Sequence, residues 1–157
     1  MSPAPRSTAA LGIAITLLTT LACEAQPAAA PVPSITIRDQ TVQLEIAGTR
    51  AEQEKGLGDR DSLAWGRGML FEYSEPRFAG FWMKDMRFDI DIVWIRDSRI
   101  VDLSHRVKHS PEGPGPTIRP RELVDTVLEV PAGFAQANGW RVGDRTEIRR
   151  AQPANPR

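Results

Sequence analysis

The chain has 157 residues, 20 of them basic and 20 acidic, and its formal net charge is +0. Arg6 is the only charged residue ahead of the single cysteine, Cys23, so the remainder carries 19 basic and 20 acidic groups. Such a balance creates no field for a polyanion, which argues against nucleic-acid binding. One cysteine excludes an intramolecular disulfide and any multi-cysteine zinc or iron–sulfur centre.

Residues 1–23 read as a secretory signal. Arg6 supplies the positive n-region, and Ala9 to Ala22 form an apolar stretch too short for the roughly 20 residues that span a bilayer. Thr20-Leu21-Ala22-Cys23 resembles a bacterial lipobox, with Cys23 as the lipidation site. A plain signal peptide cleaved near Ala22 or Ala25 is the alternative. Glu24 rather than aspartate after the cysteine favours the outer membrane. Residues 24–33, rich in Ala and Pro, read as an extended tether, and 151–157 as a similar tail. The folded domain is expected over residues 34–150.

Within it, Ile35–Arg38 and Val42–Ile46 alternate apolar and polar residues, the signature of strands buried on one face. Thr49 followed by Glu52 is a capping box that predicts a two-turn helix stopped at Gly56. Met69–Tyr73 follows as a strand, with a turn at Ser74-Glu75-Pro76. In the next strand, Phe78–Lys84, alternation places Phe81 and Met83 on one face and Trp82 and Lys84 on the other. Ile90, Ile92 and Trp94 share a face opposite Asp89, Asp91, Val93 and Ile95. Arg96–Arg99 reads as a hairpin turn into Ile100–Leu103. Residues 104–120 read as a long Pro/Gly-rich loop, Leu123–Val130 as a strand, 131–138 as one or two helical turns, and Thr146–Arg149 as a final strand. About eight short strands and two short helices predict a mainly β single domain, a β-sandwich or squat barrel.

Six ordered blocks carry a family resemblance: Gly56-Leu57-x2-Arg60-x2-Leu63, Gly68-Met-Leu-Phe71, Phe81-Trp-Met-Lys84, Asp91-Ile92, Val127-Leu-Glu-Val-Pro-Ala-Gly133 and Val142-Gly-Asp144. Together they resemble domain-of-unknown-function family 192 over about Val42 to Ile148. The resemblance implies a compact β-rich, jelly-roll-like fold, often in exported bacterial proteins, and implies no reaction. After Lys84 the chain departs from the common family pattern, reading Asp85-Met86-Arg87-Phe88-Asp89-Ile90-Asp91 where members often carry Asn-Thr and a proline.

The leading candidate site is Arg60, Trp82, Lys84 and Asp91, an arginine fork and a lysine beside an aromatic platform, suited to a carboxylate, phosphate or sugar. The competing account is a structural network in which Arg60 and Lys84 pair with Asp91. Asp89 and Asp91, on one strand face, would make a hydrolase pair if both lined a pocket. His105 and His109 would aim at one metal if helical, and Met69, Met83 and Met86 are candidate soft ligands for copper. Trp65 and Trp140 read as lids on the core. No nucleophile motif such as Gly-x-Ser-x-Gly occurs. The expectation is a non-catalytic, monomeric periplasmic domain without a cofactor, tethered to the membrane through its lipid or else secreted. It would bind a small anionic or polar ligand or an envelope protein.

Overall fold

The computed structural model describes residues 32–110, 113 and 115–151. The signal segment, Cys23 and most of the tether and tail lie outside the described residues. Among the described residues no helix is long and apolar enough to cross a membrane.

The elements run β1 (Ser34–Ile37), β2 (Gln40–Ile46), α1 (Arg50–Lys55), β3 (Arg67–Arg77), β4 (Phe81–Trp82), β5 (Ile90–Arg96), β6 (Arg99–Val107), β7 (Thr117–Ile118), β8 (Val124–Pro131), α2 (Phe134–Ala137) and β9 (Thr146–Arg149). The large sheet has the order β6-β5-β8-β3-β2-β1-β9, and β4 and β7 make a small second sheet. The β2–β3 pair is parallel and the other pairs are antiparallel. The large sheet curls into a half-barrel whose outermost strands meet. A bridge joins Arg99 to Arg145, and the amide of Ile100 donates to the carbonyl of Asp144 at 3.0 Å. The domain is therefore the mainly β, sandwich-like unit that the strand pattern predicts.

Curling gives the sheet an inner and an outer face, each with its own core. Inside are Ile35, Ile37, Leu44, Leu70, Val93, Ile95, Leu128 and Val130, closed by Phe134 and Trp140. Outside, Met69, Phe71, Ile90, Ile92, Trp94 and Val127 are covered by Leu57, Phe81, Met83 and Met86 from the connecting segments. Strand β5 is buried at every residue from Ile90 to Ile95 because both of its faces are covered. Each fully buried Val, Ile or Phe contributes about 1.5–3 kcal/mol, so both layers hold the domain together.

Local chemistry sets the details. Thr49 and Glu52 form the capping box and start α1 as read from the sequence. Asp97 and Ser98 take φ of 48° and 57°, the conformation a two-residue hairpin demands. Three expectations need correction. Strand β3 continues through Ser74-Glu75-Pro76 instead of turning, absorbing the proline where its register with β8 shifts between Glu72 and Arg77. The strand expected over Phe78–Lys84 shrinks to Phe81–Trp82, because residues 83–86 turn to pack on the segment after α1. The expected loop from Ser104 is strand near both ends, since β6 runs to Val107 and Thr117–Ile118 pair with β4. Trp140 is buried as expected, whereas Trp65 is 62% exposed and rests on Phe134 with ring centroids 4.7 Å apart.

Candidate functional site

A small cavity lies on the outer face, beneath the C-terminal end of α1. Its volume is ≈ 70 Å³, and its walls include Lys55, Phe71, Tyr73, Trp82, Lys84 and Glu129. One water needs roughly 10–15 Å³ of such space, so the cavity admits a few waters or one small polar group.

Each wall is held by sequence-encoded packing. Phe81 wedges edge-on between Phe71 and Trp94, with centroids at 4.8 and 5.5 Å. With Phe81 fixed inward, strand alternation turns Trp82 outward, where it is 52% exposed. Lys84 follows in phase and sets its Nζ over the Trp82 ring, 5.8 Å from the centroid. The turn carrying Lys84 is fastened to the segment after α1: the Asp59 amide donates to the Asp85 carbonyl at 2.8 Å. Gly58 permits this approach, since a Cβ there would stand 3.0 Å from the Lys55 carbonyl oxygen and 3.3 Å from that of Lys84.

The floor is Glu129. Its strand reads Val124-Asp-Thr-Val-Leu-Glu-Val-Pro131, and alternation puts Glu129 in phase with Val127 on the outer face. Glu129 is 5% exposed, and its Oε2 has no hydrogen-bond partner. Burial pushes the carboxyl up to about 8, opposed only in part by the positive charge of Arg60. At neutral pH it is therefore mostly a neutral acid, with one O–H to donate and lone pairs to accept. Burial also raises the Tyr73 hydroxyl, and the Glu129 charge adds to that rise.

The four residues singled out in the sequence do not form one cluster. Trp82 and Lys84 lie together on the cavity wall. Arg60 stands to one side and donates a two-pronged pair to Glu45, both contacts 2.8 Å. Each of that pair holds the other in its charged form through the hydrogen bond between them. Asp91 lies across the sheet from the cavity. It is fully buried, and its oxygens accept from the backbone amides of Arg106 (2.7 Å), Gly133 (3.0 Å) and Ala135 (2.9 Å). The expected neighbourhood of Lys84 and Asp91 is thus corrected, because Asp91 projects from the sheet face opposite to Ile90 and Ile92.

The same geometry disposes of the hydrolase pair. Asp91 is saturated by backbone donors, and Asp89 is engaged by Lys108 at 2.6 Å and His109 Nδ1 at 2.7 Å. Burial alone would raise Asp89, but those hydrogen bonds prevail and hold it down to about 2. The two histidines do not converge either. His105 sits on strand β6 with Nδ1 4.0 Å from Asp91, while His109 reaches Asp89. Among the described residues no group of three or more His, Cys, Asp or Glu is placed to hold a metal. Met69, Met83 and Met86 are packing residues of the outer core.

Sequence reasoning missed Glu129 and Tyr73. The signal for Glu129 was present: one acid in core phase within an otherwise apolar run, where an unpaired charge is costly.

Among curated proteins, none matches the chain significantly. Two solved structures are similar. A protein of Sinorhizobium meliloti 1021, described as a candidate transcription regulator, is 29% identical with a TM-score of 0.67, covering 78% of this chain and 98% of that one. A protein of unknown function from Novosphingobium aromaticivorans DSM 12444 is 28% identical with a TM-score of 0.66, covering 73% of this chain and 83% of that one. Residues 33–148 match DUF192, described as an uncharacterized ACR. The chain belongs to domain-of-unknown-function family 192.

Proposed function

We propose that this is an exported, lipid-anchored protein of the cell envelope whose domain binds a small polar ligand at the Glu129 cavity. One observation carries the binding reading: the buried carboxyl of Glu129, one oxygen of which has no partner, belongs to the wall of a cavity that an exposed tryptophan and a lysine also line. Leaving a buried polar atom unsatisfied costs about 1–3 kcal/mol, and a structural role offers no return for that cost. A ligand group entering the cavity meets the Glu129 carboxyl and can supply a hydrogen bond that the protein does not. The signal segment and Cys23 supply the anchoring part of the reading. The description of the S. meliloti protein remains with that protein; the balanced charge of this chain gives no polyanion attraction to support the same role.

The binding reading is tested by ligand-observed NMR of the full chain against a panel of small alcohols, amines, carboxylates and amides. Binders that compete for one site and are lost in Glu129→Met and Trp82→Ala are the expected result. Binding indifferent to both substitutions would remove the site. For the anchor, Cys23→Ser is expected to abolish labelled-palmitate incorporation and release the protein from the membrane fraction. A Cys23→Ser protein that still carries label would contradict it.

A further inference from the structure

The Glu129 cavity continues into a much larger groove. This groove measures ≈ 660 Å³ and shares Gln53, Glu54, Tyr73, Gly80 and Trp82 with the cavity, while adding Arg50, Arg77 and Phe78. It is within the range of small-molecule sites, about 300–1,000 Å³. Phe78 is 60% exposed and Trp82 52%, so two of the exposed aromatic rings of the domain stand on one concave surface. Between them Arg77 lies 4.9 Å over the Tyr73 ring, which holds both groups in place at the groove wall.

The charges around the cavity select the chemistry of the ligand. Lys55 and Lys84 oppose an incoming cation, Glu54 opposes an incoming anion, and the Glu129 carboxyl, mostly a neutral acid, favours a neutral hydrogen-bonding group. A neutral hydroxyl escapes both penalties and can donate and accept at once, as the Glu129 carboxyl does. The exposed rings accept the apolar C–H face of a sugar, while Gln53, Arg50 and Arg77 offer planar polar groups to its hydroxyls. We infer that the groove and cavity together bind a neutral saccharide of at least two rings, one ring on Trp82 with a hydroxyl at Glu129, the other on Phe78. An apolar peptide side chain is less well matched, because a buried carboxyl and two lysines stand beside the apolar walls of the cavity, Phe71 and Phe81.

The inference rests on the binding reading above, and its test separates the two. The full chain is titrated with cellobiose, maltose and N,N′-diacetylchitobiose, with their monosaccharides, with glucosamine and glucuronate as charged counterparts, and with an aromatic tripeptide. At least one neutral disaccharide is expected to bind tenfold or more tighter than its own monosaccharide and than either charged sugar. Phe78→Ala is expected to lower that disaccharide to the level of its monosaccharide. Glu129→Met is expected to remove both. If none of the three disaccharides binds, or if a charged sugar or the tripeptide binds best, the saccharide inference is overturned. In that case the binding reading still stands, provided the binder is lost in Glu129→Met. If every binder persists in Glu129→Met and Trp82→Ala, both readings fall.

Discussion

Two buried acids lie back to back in this domain, and they could hardly be used more differently. Asp91 pairs in register with Val130, and Ile92 with Glu129, so the acids are one step apart in adjacent strands but on opposite faces of the sheet. On the inner face, Asp91 accepts from three backbone amides and ties β6 and the entry to α2 onto β5. On the outer face, Glu129 has an oxygen that meets nothing, beside a cavity. A satisfied buried carboxyl is part of the scaffold. An unsatisfied one weakens the scaffold, and marks where the fold has kept a polar group for another purpose.

The contrast can be broken most forcefully at Asp91. Asp91→Ala leaves the buried amides of Gly133 and Ala135 without an acceptor, at about 1–3 kcal/mol each, and also frees the part-buried amide of Arg106. A loss of about 4 kcal/mol in denaturant unfolding is expected, and a loss below about 1 kcal/mol would make Asp91 incidental to the scaffold.

The next effect belongs to Glu129 and to pH. Its folded value, about 8, lies above the ordinary 4.5 of an unfolded chain. The unfolded chain therefore releases this proton first as pH rises. The contribution of Glu129 is whole below about pH 4.5 and is lost progressively towards about pH 8. A decline on the order of 3 kcal/mol between pH 5 and pH 8 is expected in the wild type, with that component absent in Glu129→Gln. Parallel pH profiles for the two proteins would refute the burial of this acid.

Trp82→Ala is expected to change stability by less than about 1 kcal/mol, since the ring is half exposed, while abolishing ligand binding. A large loss of stability would assign Trp82 to the core. The smallest effect is expected from Arg60→Ala. Its partner Glu45 is partly exposed, and such pairs are worth about 0–1 kcal/mol. Arg60 also lowers Glu129, so its removal is expected to push the Glu129 titration higher in a carboxyl-carbon NMR titration. A downward shift would mean that the two groups do not sense each other.

Much of this was legible in the sequence where the physics is local. The Thr49–Glu52 box, the hairpin at Asp97-Ser98 and the alternation of Ile90, Ile92 and Trp94 all depend on neighbours a few residues away, and each is found as read. The outward phase of Trp82 and Lys84 was readable for the same reason. The partner of Asp91 was not. Alternation places Asp91 opposite Ile92, but only the order β6-β5-β8 and the return of the chain through Gly133 bring backbone amides to that face. Arg60 shows the same limit. Its acceptor, Glu45, lies 15 residues earlier, and nothing in the spacing of the two announces the pair. Glu129 was hidden by a different habit of reading. Within an apolar block it passes for a break in the pattern, and its meaning emerges only once both faces of β8 are seen to be covered.

The most direct test of the central claim is the unfolding free energy of Glu129→Met at pH 8, a swap of nearly constant shape. If Glu129 is kept for a ligand at the expense of the scaffold, the apolar variant is more stable than the wild type by about 1–4 kcal/mol. If Glu129→Met is instead destabilised as Asp91→Ala is, Glu129 is a structural acid like its neighbour across the sheet, and the distinction between the two faces fails.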